Sequence, residues 1–252
     1  MLRTLLALLL LLSFSRAELI RVYAAADLQY ALKEIASMYE KQHPEDKVEI
    51  IFGSSGKGYA QIRQGAPYHI FFSADVEYVD RLYKEGYIIT KPKPYAIGRL
   101  VVWVRKDSGL DPSSFPQVLF DPRVKKIAIA NWEHAPYGRA AKEVLENYGV
   151  FEKVRGKLVL GENVSQTASF VYSGAADVGF IPLSLALSSE LQKVGKYWLV
   201  PEDKHKRIEQ AYGITKAGEG NKAVFRFYEF VSSPQARKVF IKYGFVLPGE
   251  TK

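Results

Sequence analysis

Segments with alternating apolar residues and segments with helical periodicity follow one another along most of the chain. Near the start, Leu28, Leu32, Ile35 and Tyr39 fall on one helical face, and Asp27 before them is a suitable N-cap. This order predicts an α/β architecture with largely parallel strands. The predicted strands of this first part cover residues 19–25, 47–52 and 69–73.

A long apolar stretch, residues 95–104, follows a proline-rich segment and predicts one strand that crosses from a first lobe to a second. Another α/β run comes next, and residues 208–215 predict a strand that returns to the first lobe. We therefore predict that lobe 1 comprises residues 18–96 and 211–252, and lobe 2 residues 97–210. The second run contains predicted strands at 126–130, 158–160 and 177–181, and predicted helices at 137–148 and 164–173.

The first 17 residues have the composition of a secretory signal. Arg3 gives a positive start, residues 5–12 are an unbroken apolar run, and Ser15-Arg16-Ala17 resembles a cleavage site. The run is too short to span a membrane as an ordinary helix. We therefore expect an exported or periplasmic protein that is soluble after signal removal, which leaves 235 of the 252 residues.

Composition excludes several classes of function. The chain has no cysteine, which excludes disulfides, thiol catalysis and a lipid-modified cysteine. The formal charge of +8 becomes +6 once the two arginines of the signal are removed. Because basic and acidic residues are interleaved, nucleic acid is not favoured as a partner.

The segment Phe52-Gly53-Ser54-Ser55 joins a predicted strand to a predicted helix. A helix start carries free N–H groups and a partial positive charge, and it can therefore bind an anion. The alternative is that Ser55 is only an N-cap, and the turn alone leaves both interpretations open. The phosphate-binding P-loop pattern fails because Ile51 and Gly58 occupy its defining positions. A nucleophile elbow fails because Lys57 stands where glycine is needed.

Four predicted strand-to-helix turns, two in each lobe, could together form an anion site. They lie at Asp27, Ser54-Ser55, Tyr137 and Val164. Ala135, before Pro136, is a poor cap and leaves N–H groups of its helix for an external acceptor, whereas Asn163 can cap the fourth helix. In open α/β sheets such helix starts collect where ligands bind, beyond the carboxyl ends of the strands.

At this point the chain resembles the periplasmic molybdate-binding proteins, the soluble receptors of ABC importers. Each matching stretch is short, but the set follows the family order over essentially the whole mature chain. The stretches are Val22-Tyr-Ala-Ala-Ala-Asp-Leu28, Phe52-Gly-Ser-Ser55, Gly65-Ala-Pro67, Phe72-Ser-Ala-Asp75, Glu133-His-Ala-Pro-Tyr-Gly138, Gly161-Glu-Asn-Val164 and Tyr243-Gly-Phe245.

The resemblance implies a two-lobed periplasmic-binding-protein fold. Each lobe would be a mixed, mostly parallel sheet flanked by helices, and two crossing strands would join the lobes. The cleft would hold a tetrahedral oxyanion through neutral hydroxyl and N–H donors, with no direct metal-ion ligand and no cofactor. By position, the implied site residues are Asp27, Ser55, Tyr137, Val164 and Pro182, with Ser54 in the same turn.

Two positions depart from the family pattern. Asp27 stands where a serine hydroxyl is common, and a carboxylate would repel a dianion. We therefore expect its side chain to cap its own helix and only its N–H to face the ligand. Pro182 stands where a tyrosine can donate, and proline offers neither a hydroxyl nor an N–H. Ser184 is expected to start the next helix rather than to replace that contact.

The other polar residues near these turns are not assigned to the anion site. His134 is expected to be an ordinary turn residue, and Lys57, Glu133 and Glu162 are expected to face solvent. The remaining histidines show no metal-ligand spacing.

The resulting hypothesis is a monomeric, non-enzymatic receptor for molybdate, together with tungstate, that delivers its ligand to an ABC transporter permease. The alternatives are a receptor for sulfate or another tetrahedral oxyanion, a hydrolase on the same cleft, and an adhesive domain.

Overall fold

The structure is a computed structural model, and it describes residues 18–250. The predicted signal and the last two residues lie outside this range. The strands are β1 (Glu18–Ala25), β2 (Asp46–Gly53), β3 (Ile70–Ser73), β4 (Lys93–Gly98), β5 (Leu100–Arg105), β6 (Ile127–Ala130), β7 (Leu158–Gly161), β8 (Val178–Pro182), β9 (Gly195–Leu199) and β10 (Ile208–Ile214). The helices are α1 (Ala31–Gln42), α2 (Ser55–Arg63), α3 (Val76–Lys84), α4 (Pro136–Asn147), α5 (Phe151–Val154), α6 (Val164–Tyr172), α7 (Leu183–Ala186), α8 (Ser189–Val194), α9 (Lys222–Phe230) and α10 (Pro234–Lys242).

The strands form two sheets of five, one in each lobe, with the orders β2-β1-β3-β10-β4 and β7-β6-β8-β5-β9. In the first sheet, β1 is parallel to β2 and β3, and β10 is antiparallel to β3 and β4. In the second sheet, β5 is antiparallel to β8 and β9, whereas β6 is parallel to β7 and β8. Each sheet is therefore mixed: four of its five strands run in one direction, and the reversed strand makes two of the four pairings antiparallel. The predicted two-lobed α/β fold class is confirmed. In both lobes the reversed strand is the first one after the chain crosses over.

Each sheet has its own hydrophobic core. In lobe 1 the predicted helical face is confirmed, because Leu28, Leu32, Ile35 and Tyr39 are all fully buried. The second core is built around β5 and includes the fully buried Trp103. None of the helices between residues 18 and 250 is both long and apolar enough to cross a membrane.

The prediction of one crossing strand over residues 95–104 was wrong. The apolar run is divided at Arg99, because β4 pairs with β10 in the first sheet whereas β5 pairs with β8 and β9 in the second. The return crossing is a loop, and Arg99 ties the two crossings together through an ion pair with Glu202 at 3.0 Å. The first sheet includes the end of β4 at Gly98 and the start of β10 at Ile208, the two points at which the chain crosses. The lobe limits drawn from the sequence stay a prediction.

Candidate functional site

The four turns meet at one small cavity between the lobes. The volume that the centre of a water-sized sphere can occupy in it is about 10 Å³, roughly what one water needs. Its wall includes Asp27, Ser54, Ser55, Tyr137 and Val164 but not Pro182. The lining residues are Ala25, Ala26, Asp27, Gly53, Ser54, Ser55, Ala74, Ala135, Pro136, Tyr137, Asn163 and Val164. Their proposed contact with a ligand stays a prediction.

The glycine–serine turn supplies a hydroxyl donor to this cavity. Ser54, and not Ser55, is the N-cap of α2, since its Oγ accepts a hydrogen bond from the Lys57 N–H. The Oγ of Ser55, which is fully buried, accepts from the Ala74 N–H at 2.9 Å. The interpretation of Ser55 as the N-cap was therefore wrong, and its hydroxyl hydrogen remains free to donate.

The second lobe supplies backbone donors. Ala135, at the start of α4, makes no side-chain capping hydrogen bond, as its sequence predicts. Asn163 caps α6 by accepting from the Gln166 N–H at 3.0 Å, also as predicted. Among residues 18–250, the hydrogen bonds found leave the N–H groups of Tyr137 and Val164 without an acceptor. These two donors therefore remain available to a ligand in the cavity.

Asp27 takes a different role from the predicted one. It lies inside a single turn of 3-10 helix, Ala26–Leu28, whereas α1 begins only at Ala31, and its side chain makes no capping hydrogen bond. The prediction that it caps its own helix was therefore wrong. Instead, its Oδ2 accepts from the Tyr137 hydroxyl at 2.8 Å and from Gln210 Nε2 at 2.7 Å. The carboxyl group thus joins the first lobe to the second.

Burial raises the pKa of the Asp27 carboxyl to about 6. Hydrogen bonds from Gln210 and Tyr137, and the nearby N–H groups of Asp27 and Leu28, act in the opposite direction. The Oδ1 atom of Asp27 is buried and has no hydrogen-bond partner among the described residues. One oxygen of a fully buried carboxyl group at the cavity wall is therefore unpaired.

Neither Pro182 nor Ser184 belongs to the lining of the cavity. Pro182 ends β8 and precedes α7, and the loss of a ligand contact at this position stays a prediction. The Ser184 hydroxyl is already engaged, since it donates to the Asp27 carbonyl oxygen at 2.7 Å. This bond also links the two lobes.

Direct hydrogen bonds hold the lobes together around the cavity. The Gly56 N–H donates to the His134 carbonyl at 2.9 Å, and His134 Nδ1 lies 2.9 Å from Ser54 Oγ. At the rim, Lys57 pairs with Glu162, and both side chains are about half exposed. The structure is therefore a closed form of the cleft, and His134 contributes to closure although it was predicted to be an ordinary turn residue.

Gln210 and Tyr95 were not predicted from the sequence. The Tyr95 hydroxyl donates to Gln210 Oε1 at 2.6 Å, and Gln210 Nε2 donates to both Asp27 and the Tyr137 hydroxyl. The available signal was a polar glutamine directly before the apolar second half of β10. Because β10 follows the return crossing, this network connects the crossing to the cavity wall.

A larger cavity of about 510 Å³ borders the same cleft, but charges of both signs line it. Arg139 pairs there with Asp75, and Lys206 pairs with Glu77 at 2.9 Å. These compensated charges favour neither anions nor cations. We therefore place the candidate anion site in the smaller cavity.

One group among the described residues has metal-ligand atoms close together: His43, Glu45 and Asp46. The Asp46 carboxylate is already bound by Arg226 at 2.9 and 3.0 Å and by the Tyr39 hydroxyl at 2.5 Å. The group therefore belongs to a partly exposed ion-pair network around the buried Asp46 in lobe 1.

Two mixed sheets that close on a cavity lined by helix starts define a two-lobed solute-binding protein. Residues 20–246 match the bacterial extracellular solute-binding proteins, and the chain belongs to this family.

The chain is 35% identical to the molybdate-binding protein ModA of Rhodobacter capsulatus over 223 residues, 88% of this chain and 86% of that protein. It is also 35% identical to ModA of Azotobacter vinelandii over 234 residues, 92% of each chain. The solved structure of the periplasmic molybdate-binding protein from Azotobacter vinelandii superposes with a TM-score of 0.84, at 34% identity, over 91% of this chain and 99% of that one.

Proposed function

We propose that this protein captures molybdate, together with tungstate, in the cavity between its lobes and delivers it to the permease of an ABC transporter. The observation that carries the proposal is the composition of the cavity wall. Its donors are the free N–H groups of Tyr137 and Val164 and the hydroxyl of Ser55, and no lysine, arginine or histidine of residues 18–250 lines it. Such neutral, fixed donors suit a compact oxyanion whose charge is spread over several oxygens.

Closure of the cleft explains how neutral groups could hold a dianion. When the lobes meet, water leaves the cavity, and each remaining hydrogen bond to a charged acceptor is stronger than it would be in water. The N-termini of α2, α4 and α6 add their partial positive charges at the same place. Hinge closure would also give the permease a way to distinguish the loaded protein from the empty one.

The proposal also covers where the protein acts and in what form. The protein would act outside the cytoplasm as a monomer, without a cofactor and without catalysing a reaction. The two ModA relatives compared above are described as binding proteins, which supports a role in binding. The failed nucleophile-elbow pattern around Ser55 argues against hydrolysis.

Thermal melting of the purified protein with molybdate, tungstate, sulfate or phosphate at equal concentration tests the proposal. A ligand that binds only the folded state raises its stability by about 4 kcal/mol at a thousandfold excess over Kd. We expect a large shift with molybdate and tungstate and a much smaller one in Ser55→Ala. A comparable shift with sulfate would replace the proposed ligand, and no shift with any oxyanion would refute the proposal.

A further inference from the structure

The unpaired oxygen of Asp27 does not fit an ionised carboxylate. Asp27 is 1% exposed and lines the candidate oxyanion cavity, and Oδ1 has no donor among the described residues. A buried, ionised oxygen without a hydrogen bond is costly, and a bound dianion would repel it further. A neutral carboxyl group removes both costs, because its hydrogen can be donated to the anion.

The groups that face this carboxyl supply no compensating positive charge. They are Tyr95 from β4, Tyr137 from α4, the amide of Gln210 from β10, and the backbone N–H groups of Asp27 and Leu28. Burial, together with the Asp27 charge, raises the pKa of both tyrosines well above the ordinary value, so they stay neutral. The pKa of Asp27 itself is already raised to about 6 by burial, and a neighbouring dianion would raise it further.

We propose that Asp27 is protonated when the lobes close on the oxyanion and donates its Oδ1 hydrogen to it, so that each anion is bound together with one proton. The inference rests on the proposed function, since it requires an oxyanion in this cavity. The proton comes from the solvent, and it supplies the donor that a serine hydroxyl would otherwise provide at this position.

Coupling of this kind has a defined pH dependence. The pKa of Asp27 is lowest in the open, ligand-free protein, where the carboxyl is hydrated, and highest in the closed complex. Between these two values about one proton is taken up per anion, and the affinity falls about tenfold for each unit of increasing pH. Molybdate itself remains a dianion around neutral pH and adds no proton step of its own.

Isothermal titration with sodium molybdate in two buffers of different ionisation enthalpy, at one pH near neutrality, measures this proton directly. A second series of titrations at several pH values gives the pH dependence of Kd. We expect the two heats to differ by the amount for about one proton, and we expect Kd to rise with pH. In Asp27→Asn the amide can donate without taking up a proton, and both effects should disappear. Asp27→Ser provides the same test if the asparagine variant does not fold.

His134 is the matched control, because it is a second titratable group beside the cavity, in contact with Ser54. Burial lowers the pKa of His134, so closure can only release a proton from it, and His134→Asn should therefore take up at least as much proton per anion as the parent. Binding of molybdate by the parent without proton uptake, or uptake that persists in Asp27→Asn, would overturn the inference but leave the proposed function intact. No binding heat from any oxyanion would instead refute the proposed function.

Discussion

Replacement of Gly56 by alanine should weaken ligand binding without lowering the unfolding free energy of the ligand-free protein. Gly56 is the second residue of α2, and a Cβ atom there would meet Cβ, Cα and O of His134 at 2.7, 2.9 and 2.9 Å. Ordinary contact begins near 3.4 Å. The lobes must therefore separate locally by roughly 0.7 Å, and the Gly56–His134 hydrogen bond of 2.9 Å then exceeds the normal range.

The size of the effect follows from the bonds that depend on this approach. Loss of the Gly56–His134 bond and of the His134–Ser54 bond, at about 1 kcal/mol each, makes closure of the cleft less favourable by about 2 kcal/mol. This corresponds to a Kd about thirtyfold higher. The open protein has no such overlap, and alanine in a helix is favoured over glycine by roughly 0.5 kcal/mol, so its stability should not fall.

Titration calorimetry gives the Kd, and urea unfolding of the ligand-free protein gives the stability. Gly156→Ala is the matched control, because a Cβ there meets no atom within 4 Å. It should leave both quantities close to those of the parent. A Gly56→Ala protein that binds the oxyanion as tightly as the parent would refute the closed geometry at His134.

Three further substitutions separate binding, closure and folding. Ser55→Ala removes a donor to the ligand and leaves the buried Ala74 N–H unpaired, so we expect a loss of about 1–3 kcal/mol in both affinity and stability, measured by calorimetry and urea unfolding. Lys57→Ala breaks an exposed interlobe ion pair and should raise Kd only a few-fold, with the difference vanishing at high salt; a large effect would show that the pair is stronger than its exposure implies. Asp46→Asn removes the charge that pairs with the partly exposed Arg226 and should lower the unfolding free energy by about 2 kcal/mol with no change in Kd, whereas a change in Kd would connect this distant network to the cleft.

The parts of the fold that depend on local patterns were predictable. The helical face from Leu28 to Tyr39 is buried as its period of 3.6 residues requires. The cap at Asn163 and the uncapped start at Ala135 follow from side-chain chemistry alone. The division of residues 95–104 at Arg99 was not predictable, because both halves are apolar and only their strand partners distinguish the two sheets.

The site was predicted least well where its residues act across the cleft. A sequence shows that Asp27 precedes a helical pattern, and a local capping role follows from that spacing. The structure instead pairs its carboxyl with Tyr137, 110 residues away, and with Gln210, 183 residues away. Those partners decide which oxygen is satisfied and whether the group can remain charged. The departure from the family pattern at this position is thus not a local substitution, because its effect depends on Gln210 from its own sheet and on Tyr137, which reaches the carboxyl from the other lobe when the cleft closes.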